Sequence, residues 1–267
     1  MTTQSTRPAQ STRPAQSAQS AQTAQTAQSH AVLLLGHGSR DPRAAYVVGG
    51  LLQAVAAATG MTVRAAYLDF AAPTATYALR ALADDGFSSV RVVPLLFTPG
   101  YHLTHDVPLV LAASGVRERM QVSVAPALLA AGGSRRELLL TALTGRLIQA
   151  GSDGDVDGLV LASAGSSSTE ARLSVESLAG DLARLHGIPV EPAFASGSTR
   201  TPTHALEALA GRGAQRPAVA SLFVAPGRLT DAVAAACPDV PVADPLGVSP
   251  TFVELLVAQT RALARTP

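Results

Sequence analysis

At 267 residues and 27.1 kDa the chain is long enough for one large domain or two ordinary ones, and its 47% hydrophobic but 4% aromatic composition, with no Trp, favours an α/β core of Ala, Val and Leu over an aromatic-rich β-sandwich. The one cysteine, Cys237, excludes an internal disulfide and a cysteine-based zinc or iron–sulfur centre, and a net charge of +1, every cation being Arg, lacks the basic excess of a nucleic-acid binder. The longest apolar runs, 31–35 and 90–97, are too short to cross a bilayer, so a soluble protein without a membrane partner is expected.

Residues 1–29 repeat Ser-Thr-Arg-Pro-Ala-Gln and then Ser/Thr-Ala-Gln with no large apolar side chain after Met1, which predicts a disordered low-complexity tail. It lacks the apolar centre of a secretion signal, so a cytoplasmic protein is expected. From Ala31 onward short apolar runs alternate with amphipathic stretches, the pattern of a parallel sheet covered by helices on both faces. Strands are predicted over 32–36, 62–68, 89–97 and 121–125. Between them, the first helix is predicted to start at Asp41-Pro42 and end at Gly60, and the second to start near Pro73 and end at Gly86. A third is expected near 106–114 before Gly115, and a fourth over 134–150.

The polar, Gly-rich stretch 151–157 reads as a linker between a domain at 30–150 and a second at 158–267. Beyond it strands are predicted over 158–162, 189–194, 218–224 and 240–243, with helices near 169–186, 202–211, 229–236 and 249–264. Leu33 to Ser39 matches Leu159 to Ser166, and Ala66-Tyr-Leu-Asp69 before Pro73 matches Ala193-Phe-Ala-Ser196 before Pro202. Leu96-Phe-Thr-Pro-Gly100 with Leu103-Thr104 matches Leu222-Phe-Val-Ala-Pro-Gly227 with Leu229-Thr230, with one residue inserted. The chain therefore reads as an internal duplication of a four-stranded unit.

The copies differ where chemistry is expected: His37, Asp69 and His102 in the first stand against Ala164, Ser196 and Arg228 in the second. All three follow a predicted strand, and in an open parallel sheet the carboxyl ends of the strands share the ligand-binding edge. Two imidazoles and a carboxylate there suit a divalent metal such as iron(II), cobalt(II), nickel(II) or zinc, and the imidazoles accept protons near neutral pH. The plain alternative makes each His a hydrogen-bonded turn residue and Asp69 a helix cap. His105 and Asp106 either share a helical face with His102 or, because Pro108 belongs in the first turn, form the entry turn and N-cap. Gly36-His-Gly-Ser39 lacks the third Gly of a dinucleotide loop, and no G-x-S-x-G elbow is present.

Leu35-Gly-His-Gly-Ser-Arg-Asp-Pro42 together with the stretch from Pro94 through Pro-Gly-Tyr-His102-Leu-Thr-His-Asp-Val-Pro108 resembles the sirohydrochlorin chelatases of the class II chelatase family. The degenerate second half resembles that family's two-domain form. The resemblance implies two similar α/β domains, each a four-stranded parallel sheet flanked by helices, facing each other across a cleft. It implies a lyase that inserts iron(II) for sirohaem or cobalt(II) for cobalamin into sirohydrochlorin, with no organic cofactor and the divalent metal as substrate; because two domains are fused in one chain, a monomer is expected. By the same resemblance His37 and His102 are the metal-binding and catalytic pair. Asp69 stands where the family commonly has Glu and joins them at the metal. Ser39 belongs to the same turn and is expected at the substrate, and Arg40, Arg43 and, from the facing domain, Arg228 are expected to hold substrate carboxylates; His105 is a further candidate. Two other classes stay beside this reading: a His-dependent phosphoryl transferase and a non-catalytic protein that binds or delivers a divalent metal.

Overall fold

The structure, a computed structural model, describes residues 29–152 and 156–265. The tail expected over 1–29, apart from Ser29, and the middle of the linker expected over 151–157 lie outside the described residues.

The first half runs β1 (His30–Gly36), α1 (Pro42–Thr59), β2 (Thr62–Tyr67), α2 (Ala75–Asp84), β3 (Ser89–Pro94), α3 (Val107–Ser114), β4 (Gln121–Val124) and α4 (Ser134–Gln149). The second runs β5 (Gly158–Ser163), α5 (Thr169–His186), β6 (Val190–Phe194), α6 (Pro202–Gly211), β7 (Pro217–Leu222), α7 (Arg228–Ala236) and α8 (Pro250–Ala262). Both sheets are parallel, with orders β2-β1-β3-β4 and β6-β5-β7. In β1, Val32 and Leu34 pack on one face and Ala31, Leu33 and Leu35 on the other, so the strand is apolar throughout, as a sheet covered on both sides requires.

The helix ends follow the local chemistry that predicts them. The Asp41 carboxylate accepts the Arg43 N–H with Pro42 at the first helical position, and Gly60 closes α1 in the left-handed conformation. Thr74 and Thr201 cap α2 and α6 in the same way. They are equivalent residues, because Tyr67 N–H donates to Pro73 O just as Phe194 N–H donates to Arg200 O. Pro73 therefore corresponds to Arg200, and its sequence match to Pro202 is corrected by two places.

A fourth strand in the second sheet is reduced to one bridge, Val219 with Val242, carried by Val219 N–H to Pro241 O and Ala243 N–H to Val219 O, both 2.8 Å. Pro241 has no N–H to extend the ladder, and Pro245 interrupts the chain just beyond.

The two halves share a core. The helix α4 packs on α8 and β7, while α8 returns from the second half to pack on α1 and β3. Val32, Leu51, Leu143, Leu161, Leu222 and Phe252 belong to one buried cluster between the sheets. Phe252 is fully buried at 0%, a position where truncation to Ala costs about 3–5 kcal/mol. This packing fixes how the strand ends of one half face those of the other. Among the described residues no helix is long and apolar enough to cross a membrane.

Candidate active site

The turn after β1 carries His37. Leu68 N–H donates to Gly36 O at 3.0 Å and Asp69 N–H to His37 O at 2.8 Å, fastening the turn to the loop after β2. At Gly38, with φ +106°, a Cβ would stand 1.7 Å from Asp69 O, so only glycine fits. Gly165, with φ +100°, meets Ser196 O in the same manner at 2.0 Å. The backbone of the turn is thus retained in both halves, with Ala164 in the place of His37 and Ser196 in that of Asp69.

His102 stands on a widened helical turn, His102–Asp106, leading into α3. Pro108 has no N–H for the ordinary helical bond at this junction, and Val107 N–H instead reaches back to His102 O. The rings of His37 and His102 lie 4.3 Å apart, tilted by 34°. His102 Nδ1 bonds Asp106 Oδ2 at 2.6 Å, which fixes the ring and leaves its other nitrogen for a ligand. This bond holds the Asp106 carboxyl below its usual pKa. His37 has its pKa lowered by burial first and by His102 second, against the raising effect of Asp69 and Asp106. Its Nδ1 is buried without a hydrogen-bond partner among the described residues.

The remaining expected residues divide. Asp69 does not line the cleft; it is exposed, and its Oδ1 accepts the N–H of Phe70 at 2.8 Å. Among the described residues no group of three or more His, Cys, Asp or Glu could hold a metal ion, so the structure does not assemble His37, His102 and Asp69 into the expected metal-binding set. The short Asp side chain satisfies its own turn instead. His105 also stays off the cleft: its ring stacks on Tyr101 at 4.4 Å and its Nδ1 lies 3.3 Å from Asp106 Oδ1. Asp106 therefore acts as an acceptor for two histidines and not as a side-chain cap of α3.

The cleft, about 1040 Å³, is walled by both halves. Ser39 lines it, its Oγ accepting the Asp41 N–H at 3.0 Å, with Gly227 facing it from the other half; Gly100 faces Ser166 in the corresponding way. Arg40 lies 5.1 Å above the Phe70 ring and makes no ion pair among the described residues. Arg43 departs from expectation. Its guanidinium is taken by Asp41 and by Asp231 of α7, both at 2.6 Å, so it bridges the two halves where an open carboxylate-binding fork was expected.

Arg228 lines the cleft, exposed, but not opposite His102 in the duplication. Leu128 and Leu129 N–H groups donate to Leu96 and Phe97 O, and Leu246 and Gly247 N–H groups to Phe223 and Val224 O. Leu96 therefore matches Phe223, with no insertion. The equal spacing continues through Gly100 and Gly227, whose carbonyls accept from Thr104 and Asp231 N–H. Arg228 thus corresponds to Tyr101, and Leu229 to His102. Asp106, Phe70, Tyr101 and Asp231 join the site without having been assigned to it from sequence. Asp106 alone carried a signal, its spacing of four from His102.

The family model described as CbiX matches residues 31–129 and 158–263. The chain is similar to a sirohydrochlorin cobaltochelatase of Methanothermobacter thermautotrophicus, 31% identical over 80 residues, covering 30% of this chain and 56% of that protein. A sirohydrochlorin cobaltochelatase of Methanopyrus kandleri is 33% identical over 82 residues, 30% of this chain and 57% of that protein. The chain thus spans little more than half the length of these relatives. Among solved structures it resembles SirB from Bacillus subtilis with Fe3+, with a TM-score of 0.73 at 20% identity, covering 89% of this chain and 96% of that one. The SirB of Bacillus subtilis subspecies spizizenii in complex with cobalt gives 0.71 at 21% identity, covering 90% and 97%. At these identities the likeness is one of fold.

Proposed function

The chain belongs to the CbiX family, and from that premise we propose that it is a sirohydrochlorin chelatase, a lyase inserting iron(II) or cobalt(II) into the tetrapyrrole, with the metal as substrate and no organic cofactor. The observation that carries the reading is the pair of imidazoles 4.3 Å apart in a cleft walled by both halves.

Insertion requires a metal partly stripped of water and the loss of two pyrrole protons. A neutral imidazole serves both needs, because its free nitrogen binds a borderline metal and accepts a proton near pH 7. His37, whose burial and neighbour favour the uncharged form, is ready for either role, and His102 presents the nitrogen that Asp106 leaves open. At about 1040 Å³ the cleft stands at the upper end of small-molecule sites, a size fit for a macrocycle. Arg40 and Arg228 line it without ion pairs among the described residues, and each suits a carboxylate arm of the substrate. One chain supplies both walls of the cleft, which suits a protein working as a monomer.

The test is optical. Sirohydrochlorin mixed with iron(II) without oxygen, or with cobalt(II), is expected to change its absorption spectrum faster with the protein than without it. A spectrum changing at the uncatalysed rate ends the reading: a phosphoryl transferase would leave it so, and a delivery protein would bind metal without turnover.

A further inference from the structure

Phe70 has φ +57° and is the non-glycine residue with positive φ among the described residues. A side chain with this bulk rarely adopts that conformation, and it does so at a cost in backbone energy. The second half shows that the backbone itself, and not the side chain, demands it. Asp69 corresponds to Ser196, so Phe70 corresponds to Gly197, which has φ +67° and nothing within 4 Å of where a Cβ would stand. The degenerate copy thus uses the residue that the turn prefers, and the copy holding the imidazole pair carries an aromatic ring there at a cost.

The ring has defined neighbours. It stands edge-on to His37, centroids 5.4 Å apart and planes at 89°, with the Arg40 guanidinium over it at 5.1 Å, and 48% of the residue is exposed at the cleft. The two imidazoles are held by different means. His102 is anchored by Asp106, whereas His37 has no hydrogen-bond partner for its buried Nδ1 among the described residues. We propose that Phe70 is the positioning residue of His37: its edge-on ring does for this imidazole what the Asp106 carboxylate does for His102, and the left-handed strain at residue 70 is kept for that purpose. This rests on the chelatase reading for its consequence on turnover, but the orientation of His37 can be read without turnover.

The test compares Phe70→Gly, Phe70→Leu and Phe70→Tyr with the unaltered protein, by melting temperature, by cobalt(II) affinity without tetrapyrrole, and by insertion kinetics. Phe70→Gly restores the residue the turn prefers, so its melting temperature is expected not to fall. Its cobalt(II) affinity and kcat are expected to drop about tenfold, the scale of a lost ring–ring contact. Phe70→Tyr is expected to recover both, and Phe70→Leu, which keeps bulk but no ring, to recover neither. Unchanged cobalt(II) affinity in Phe70→Gly, or recovery by Leu, overturns the proposal. Should the unaltered protein bind cobalt(II) but insert neither cobalt(II) nor iron(II), the chelatase reading fails alone and the Phe70→Gly affinity still decides this one. An unaltered protein that binds neither cobalt(II) nor iron(II) overturns both.

Discussion

Arg43 of the first half and Asp231 of the second meet across the cleft, Nη1 donating to Oδ1 at 3.1 Å and Nη2 to Oδ2 at 2.6 Å. The same guanidinium holds Asp41, the N-cap of α1, so one side chain links the starts of α1 and α7. Both partners are about half exposed, at 50% and 56%, and salt weakens such a pair. Asp231→Arg is expected to lower the melting temperature by no more than about 4 °C, and adding Arg43→Asp to recover part of the loss. The cycle is followed by circular dichroism at low and high salt; a double variant no more stable than the single one shows that the bridge does not tie the halves.

His37→Ala and His102→Ala are each expected to slow insertion about a hundredfold or more while leaving the far-ultraviolet circular dichroism unchanged, since neither imidazole belongs to the apolar core. On the chelatase reading insertion needs His37 uncharged, and its pKa is lowered from 6.5. The rate should therefore rise with pH through a limb centred below 6.5 and stay high above it. Stability follows the same sign: the unfolded chain takes up this proton more readily, so stability is lost as pH falls through the window just below 6.5. A rate limb centred above 6.5 contradicts the assignment of His37 as the neutral ligand or base.

Asp106 bonds His102, and on the chelatase reading Asp106→Asn, which keeps the size but not the charge, is expected to lower kcat by about 10- to 100-fold. His105→Ala should leave kcat nearly unchanged, since that ring stacks on Tyr101 away from the cleft. Equal defects in the two variants, measured under saturating metal and tetrapyrrole, would show that the acidic group organises the whole turn rather than one imidazole.

Arg228 faces the cleft from the second half and makes no ion pair among the described residues. A hydrogen bond to a charged group contributes about 1.5–3 kcal/mol, so Arg228→Ala is expected to raise the KM for sirohydrochlorin about ten- to a hundredfold. The dependence on metal concentration should hardly move. Kinetics varying the two substrates separately decide it: a defect confined to metal would remove Arg228 from tetrapyrrole binding.

What the sequence determined by itself is local. Apolar runs without alternation specified buried parallel strands, Asp41-Pro42 and Gly60 bounded α1, and the Gly-His-Gly turn placed His37 at the end of β1, because capping and turn chemistry act over a few residues. Tertiary structure decided everything that depends on contacts between distant segments. The one-residue slip that set Arg228 against His102 was invisible until main-chain bonds from the 128–129 and 246–247 segments registered the two turns. Asp69 turned to its own loop, Arg43 found Asp231 far along the chain, and a Phe took the conformation its counterpart gives to Gly197. The return of α8 onto α1 and β3 joined the halves around one core, and that packing, a sum of many long-range contacts, makes two sets of strand ends into one cleft.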